Sequence, residues 1–106
     1  MIYLASPYFS TDEDLMDRRY RLVCARCHEY AISGFQVFSP IAHWHPIAKQ
    51  YGLPRDHEFW QSYNHSMISF CHELWVIKLP GWSVSRGVAD EIREAKRLEK
   101  EVTYVT

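Results

Sequence analysis

A chain of 106 residues with 47% hydrophobic side chains can build one core but not two, so residues 1–106 read as a single domain. Its formal net charge of −1 lacks the basic excess a nucleic-acid binder needs, which argues against a nucleic-acid polymer as partner. No apolar run is long enough for a bilayer and no signal-type segment opens the sequence, so a soluble, unexported, cytoplasmic protein with no membrane partner is expected.

Ile2–Ala5 reads as a first strand and Ser6–Phe9 as the loop that follows. Ser10 with Glu13 three residues on has the form of a capping box and announces a helix. Met16, Tyr20, Val23, Cys27 and Tyr30 then recur at spacings of four and three, which predicts one buried face. Gly34 is the stop signal, and Phe35–Phe38 is a second strand closed by Pro40. Residues 41–55, interrupted by Pro46, Gly52 and Pro54, are expected to be an irregular loop carrying His43, Trp44, His45 and Tyr51. A loop that long in so small a domain is more often functional than idle.

Asp56 is the expected cap of a second helix, with Phe59, Trp60, Tyr63, Met67 and Phe70 on its inner face. Leu74–Leu79 is nearly all apolar, as a strand buried on both faces requires. Pro80–Ser83 is a turn, Ser85–Lys100 a third helix and Val102–Val105 a last strand. Strands alternating with helices predict an α/β class: one Rossmann-like (flavodoxin-like) three-layer domain with a short parallel sheet of about four strands. In such sheets ligands bind beyond the carboxyl ends of the strands, here at Ser6–Ser10, Ser39–Trp44 and Pro80–Gly87.

Three cysteines do not suggest a disulfide framework. Cys24 and Cys27, followed by His28, lack the second pair of a zinc ribbon, so buried helical thiols are expected. His43 and His45 lack carboxylates in a plausible arrangement, and neither a metal nor a cofactor is expected.

On the third helix, Val88, Ile92 and Ala95 mark the apolar stripe, while Asp90, Arg93, Glu94 and Arg97 are assigned to the exposed face. Glu91 lies beside the stripe in the second turn, where it faces the expected crevice. A glutamate favoured by the helix dipole is the competing reading. Gly87 favours the crevice, because glycine in a helix costs about 1 kcal/mol relative to alanine yet lets a ligand approach the backbone. Free N–H groups at a helix start also bind phosphate.

Tyr3-Leu4-Ala5-Ser6-Pro7-Tyr8 resembles the Y-L-A-x-P opening of nucleoside 2-deoxyribosyltransferases. Ser85 to Glu91, with Ala95 after it, resembles the S-x-G-V-x-x-E-x-x-x-A segment of deoxynucleoside 5′-monophosphate N-hydrolases. Adding V-F-S-P-I-x-H from Val37 to His43 and L-P-G-W-x-x-S-x-G-V-x-x-E from Leu79 to Glu91, the pattern is similar to small bacterial and phage members of that superfamily over almost the whole chain.

The resemblance implies that Glu91 is a nucleophile. It would attack the anomeric carbon, form a glycosyl-enzyme intermediate and displace the nucleobase, as in retaining glycosidases. Ser85 stands where transferases of free nucleosides carry an aspartate, and a hydroxyl there suits a 5′-phosphate; Ser85 also reads as an N-cap. Asn64 stands where relatives carry an aspartate thought to assist protonation of the leaving base, a task asparagine cannot perform. Ser6 and Tyr8 are expected at the sugar or phosphate, Arg18 or Arg19 at the phosphate, and His43 at base or phosphate. Trp44 and Trp82 stack on a base or pack internally.

The function so implied is cleavage of the N-glycosidic bond of (deoxy)nucleoside 5′-monophosphates. The alternatives are a non-catalytic nucleotide-binding module, a transferase of free nucleosides, and a metal-dependent hydrolase using His43, His45 and a carboxylate. A homodimer or higher homo-oligomer is expected, because so aromatic a small chain leaves apolar area exposed and relatives assemble.

Overall fold

Ile2–Ala5 forms β1 and is buried at every position, because it lies inside the sheet with helices on both faces. The computed structural model describes residues 1–106. Its sheet has four parallel strands in the order β2-β1-β3-β4, with β2 at Val37–Phe38, β3 at Glu73–Ile77 and β4 at Glu101–Val105. Parallel neighbours need crossovers, supplied by α1 (Glu13–Ile32), α2 (Pro40–Tyr51), α3 (His57–Phe70) and α4 (Arg86–Arg97).

Side chains alternate across the strands and split the core in two. Tyr3, Ala5, Leu74 and Val76 pack with Ile68 of α3 and Val88 and Ala95 of α4. Ile2, Leu4 and Ile77 pack on the other face with Val23 of α1 and Ile41 of α2. The chain starts at β1, moves out to β2, then crosses back over β1 to β3 and on to β4. That reversal opens a crevice at the carboxyl ends of β1 and β3. The α/β class and the short parallel sheet agree with the sequence reading.

The structure corrects several local expectations. The cap of α1 is Asp12, whose carboxylate accepts from the Asp14 N–H at 3.0 Å; Ser10 lies outside the helix and accepts from the Asp12 N–H instead. Residues 40–51 are a helix, not a loop. Pro40 sits in its first turn, where a missing N–H costs nothing, and Ser39 caps it by accepting from the Ala42 N–H at 3.1 Å. Gly52 ends it in the left-handed conformation, with φ 76°. Pro46 is tolerated inside, and Ile41, His45 and Ala48 are buried at helical spacing.

On α3 the buried apolar residue is Ile68, whereas Phe59 and Phe70 are 50% and 77% exposed. The inner face of α3 is largely polar, because it meets α4 and the crevice and not the sheet alone. α4 stops at Arg97, after which Glu99 turns the chain with φ 58° into β4. All three cysteines are free, Cys71 buried and Cys24 and Cys27 half-buried. No helix is long and apolar enough to cross a membrane.

Candidate active site

The crevice is a cleft of ≈ 420 Å³ lined by residues that follow β1, β2 and β3 and by the start of α4. That volume suits a ligand the size of a nucleotide. Its walls bring together Ser6, Tyr8, Arg19, Asn64, Ser85, Gly87 and Glu91. His43 is not among the lining residues: it is exposed on α2, against Trp44 and Phe38, while His45 lines the cleft. Once residues 40–51 form a helix, His43 and His45 point in different directions. Arg18 is exposed and outside the cleft, and Trp44 lines it while Trp82 does not.

Glu91 is placed by the start of α4. The Ser85 hydroxyl accepts from the Val88 N–H at 3.2 Å and caps the helix, and buried Val88 and Ala95 hold it to the sheet. Three residues past Val88, Glu91 is 5% exposed and accepts a hydrogen bond from the Tyr3 hydroxyl. Burial raises its pKa to about 8; the Asp90 charge adds to the rise, and the Tyr3 bond opposes it. Burial and the neighbouring Glu91 also push the Tyr3 phenol well up, so it stays a donor.

Asp90 is not on an exposed face as expected; it is 7% exposed and turned toward α3. Its carboxylate accepts from Gln61 Nε2 at 3.1 Å and from His65 Nε2 at 2.6 Å, with His57 Nε2 at 3.3 Å. Burial works to raise its pKa, but the His65 and Gln61 hydrogen bonds outweigh it, and Asp90 is held below the usual carboxylate value. Adjacent carboxyls are thus driven apart, Asp90 ionised and Glu91 proton-holding, a pattern typical of acid–base sites.

The buried side-chain polar atoms without a hydrogen-bond partner are Ser6 Oγ, Arg19 Nε, Trp44 Nε1 and Asn64 Oδ1. All four belong to residues that line the cleft. Buried polar groups are normally bonded, and these four gather around one cavity, where solvent or a ligand can supply the missing partners.

Arg19 joins two sides of the cleft. Its Nη1 donates to the Tyr8 and Phe9 carbonyls at 3.2 and 3.3 Å, and its guanidinium lies against Gly81, where a Cβ would come within 2.7 Å of Nη2. Gly81 also has φ +95°, so no other residue fits easily. Gly87 is different: a Cβ there would meet His57 Nδ1 at 3.5 Å and Ser85 Oγ at 3.8 Å, both ordinary contacts, so the packing does not itself demand glycine.

The sequence reading missed Arg55, His57 and Trp60, which also line the cleft. Arg55 pairs with Glu13 at 2.8 Å, and Trp60 packs on Trp44 with centroids 5.0 Å apart. A basic residue in a connection carries no periodic signal, so Arg55 had no mark in sequence. No group of three or more His, Cys, Asp or Glu is arranged to hold a metal ion.

A buried carboxyl lining a cleft that also holds a helix N-terminus and Arg19, Arg55 and Arg86 can, once ionised, attack an electrophilic carbon while the same cleft holds an anion. No curated protein matches the chain. A family model described as "Domain of unknown function (DUF1937)" matches residues 1–106, and the chain belongs to that family.

Proposed function

We propose that the cleft binds a (deoxy)nucleoside 5′-monophosphate and cleaves its N-glycosidic bond with Glu91 as nucleophile. The observation that carries this reading is Glu91 itself: a 5%-exposed carboxyl lining a cleft that also gathers the unpaired buried polar atoms. The motifs that resemble the deoxyribosyltransferase-like superfamily converge on the same cleft, which adds support.

The phosphate is assigned to the Ser85 hydroxyl and the N–H groups at Gly87, with Arg19 and Arg86 on the same cleft. The base is assigned to the side lined by Trp44, Trp60 and Asn64. The ionised Glu91 forms a bond to the anomeric carbon as the C–N bond breaks and its electron pair leaves with the base. Water then displaces the carboxylate. Burial makes a free Glu91 anion costly, and the positive charge developing on the sugar offsets that cost in the transition state.

The test is a panel of deoxy and ribo 5′-monophosphates, with free base followed by chromatography. The wild type is expected to release base from at least one member, and Glu91→Gln to lower that rate by at least about 10³-fold. One observation favours a second reading: Asn64 stands where the resemblance places a proton-donating aspartate. Nucleotide binding with no base released from any member would select a non-catalytic binding module instead.

A further inference from the structure

If the base is expelled, something must give it a proton, and Asn64 cannot. The cleft wall opposite α4 holds a chain that can. The Tyr8 hydroxyl lies 2.6 Å from His45 Nδ1, and His45 Nε2 lies 2.9 Å from Asp17 Oδ1. Lys49 holds the other Asp17 oxygen at 2.7 Å, and its hydrogen bond leads the causes that keep the Asp17 carboxyl ionised. An ionised Asp17 accepts, so Nε2 carries a proton; in neutral His45 the Nδ1 is then the acceptor and Tyr8 the donor. His45 is 4% exposed and stacked on Tyr20 at 4.5 Å. This is the hydroxyl–imidazole–carboxylate logic of hydrolytic triads, built here from a phenol. Nothing in the packing of α2 against α1 requires it, since an apolar residue at position 45 would fill the same stripe as Ile41 and Ala48.

We propose that Tyr8 is the proton donor to the departing base, and that His45, oriented by Asp17, reloads it. The proposal rests on the glycosidase reading above. In the first step the Tyr8 proton moves to the departing nitrogen as the C–N bond breaks, and the His45 imidazolium returns a proton from Nδ1 to the phenol oxygen. In the second, water attacks the anomeric carbon and the bond to Glu91 breaks, its electron pair returning to the carboxylate. The water proton passes to the Tyr8 oxygen and the phenol proton to Nδ1, which restores the imidazolium. Tyr8 touches the substrate; His45 and Asp17 act through it as positioning and relay residues.

The charged groups facing the pair are Asp17 and Glu13 of α1, Arg19 beside the Tyr8 carbonyl, Lys49 of α2 and Arg55 after it. Burial leads the causes that lower the His45 pKa, with Arg55 and Lys49 adding and Asp17 opposing. Burial likewise leads in raising the Tyr8 phenol. The working form needs Glu91 ionised and His45 protonated. The pH profile of kcat/KM is therefore a bell whose alkaline fall belongs to the loss of the imidazolium.

The experiment compares wild type, Tyr8→Phe and His45→Asn on an ordinary purine 5′-monophosphate and on its N7-methylated analogue, whose base leaves without needing a proton. In single-turnover base release, which reads the first step alone, Tyr8→Phe is expected to lose about 10²-fold or more on the ordinary substrate and under about tenfold on the methylated one. His45→Asn is expected to lose the alkaline fall between about pH 5 and 9. Equal losses on both substrates would overturn the relay, as would an alkaline limb unchanged in His45→Asn. A wild type that cleaves only the methylated substrate overturns the relay and leaves the glycosidase intact. One that releases base from neither overturns both.

Discussion

At the scale of single residues, Glu91 and Asp90 show how neighbours one position apart acquire opposite chemistry. Glu91 is buried at the cleft with one phenol as its hydrogen-bond donor, while Asp90 faces an amide and two imidazoles on α3. The folded Glu91 holds its proton up to about 8 against an ordinary value of 4.5. Its contribution to stability is thus full below the lower value and is lost as pH rises toward the upper one. That loss is on the order of 5 kcal/mol. Glu91→Gln carries no such titration. Urea unfolding of both proteins across this range is expected to show the wild type losing stability relative to the variant as pH rises; parallel curves would mean Glu91 is already ionised.

Gly87 offers a second test at this scale. Alanine there meets only ordinary contacts and improves helix propensity by about 1 kcal/mol. Gly87→Ala is therefore expected to keep or raise the thermal midpoint while weakening nucleotide binding by about tenfold or more, measured by calorimetry. Undiminished affinity would mean the ligand does not approach this backbone.

At the scale of elements, the sequence disclosed what repeats and hid what does not. The strands, the apolar stripes of α1 and α4 and the Asp56 cap of α3 are legible, and so is Glu91, by its three-residue offset from Val88; the apolar face expected for α3 is not the one that packs. α2 is not legible, because Pro46 and two further breakers outweigh a short stripe of Ile41, His45 and Ala48. Without the helix, His43 reads as the cleft histidine; with it, His45 is the one that lines the cleft. Asp90 differs for another reason: a charged residue at that position reads as exposed, yet Gln61 and His65 of α3 present a matching polar face. A contact of this kind depends on how two helices are docked, which neither sequence segment records alone.

Gly81 and Arg19 test how the connections support the cleft. Gly81→Ala combines a φ of +95° with a contact of 2.7 Å to the guanidinium. It is expected to destabilise the protein by about 1–3 kcal/mol and to weaken binding of a 5′-monophosphate more than of the free nucleoside. Equal weakening of both would place the phosphate away from Arg19.

At the scale of the molecule, the strand order puts β1 and β3 side by side and makes every connection on their carboxyl side face one cleft. Ligand and fold are therefore coupled. With Glu91→Gln to prevent turnover, a cognate 5′-monophosphate at a hundred times its Kd is expected to add about 2.7 kcal/mol of stability and raise Tm by roughly 10 °C or more. A nucleoside lacking the phosphate is expected to add less.

The covalent intermediate is the most direct test of catalysis by Glu91. Turnover of a cleaved 5′-monophosphate would be quenched in acid and the protein digested and mapped by mass spectrometry. A sugar-phosphate adduct on the peptide containing Glu91, absent from Glu91→Gln, is the expected result. An adduct on another side chain, Asp90 included, or base release that survives Glu91→Gln, would contradict it.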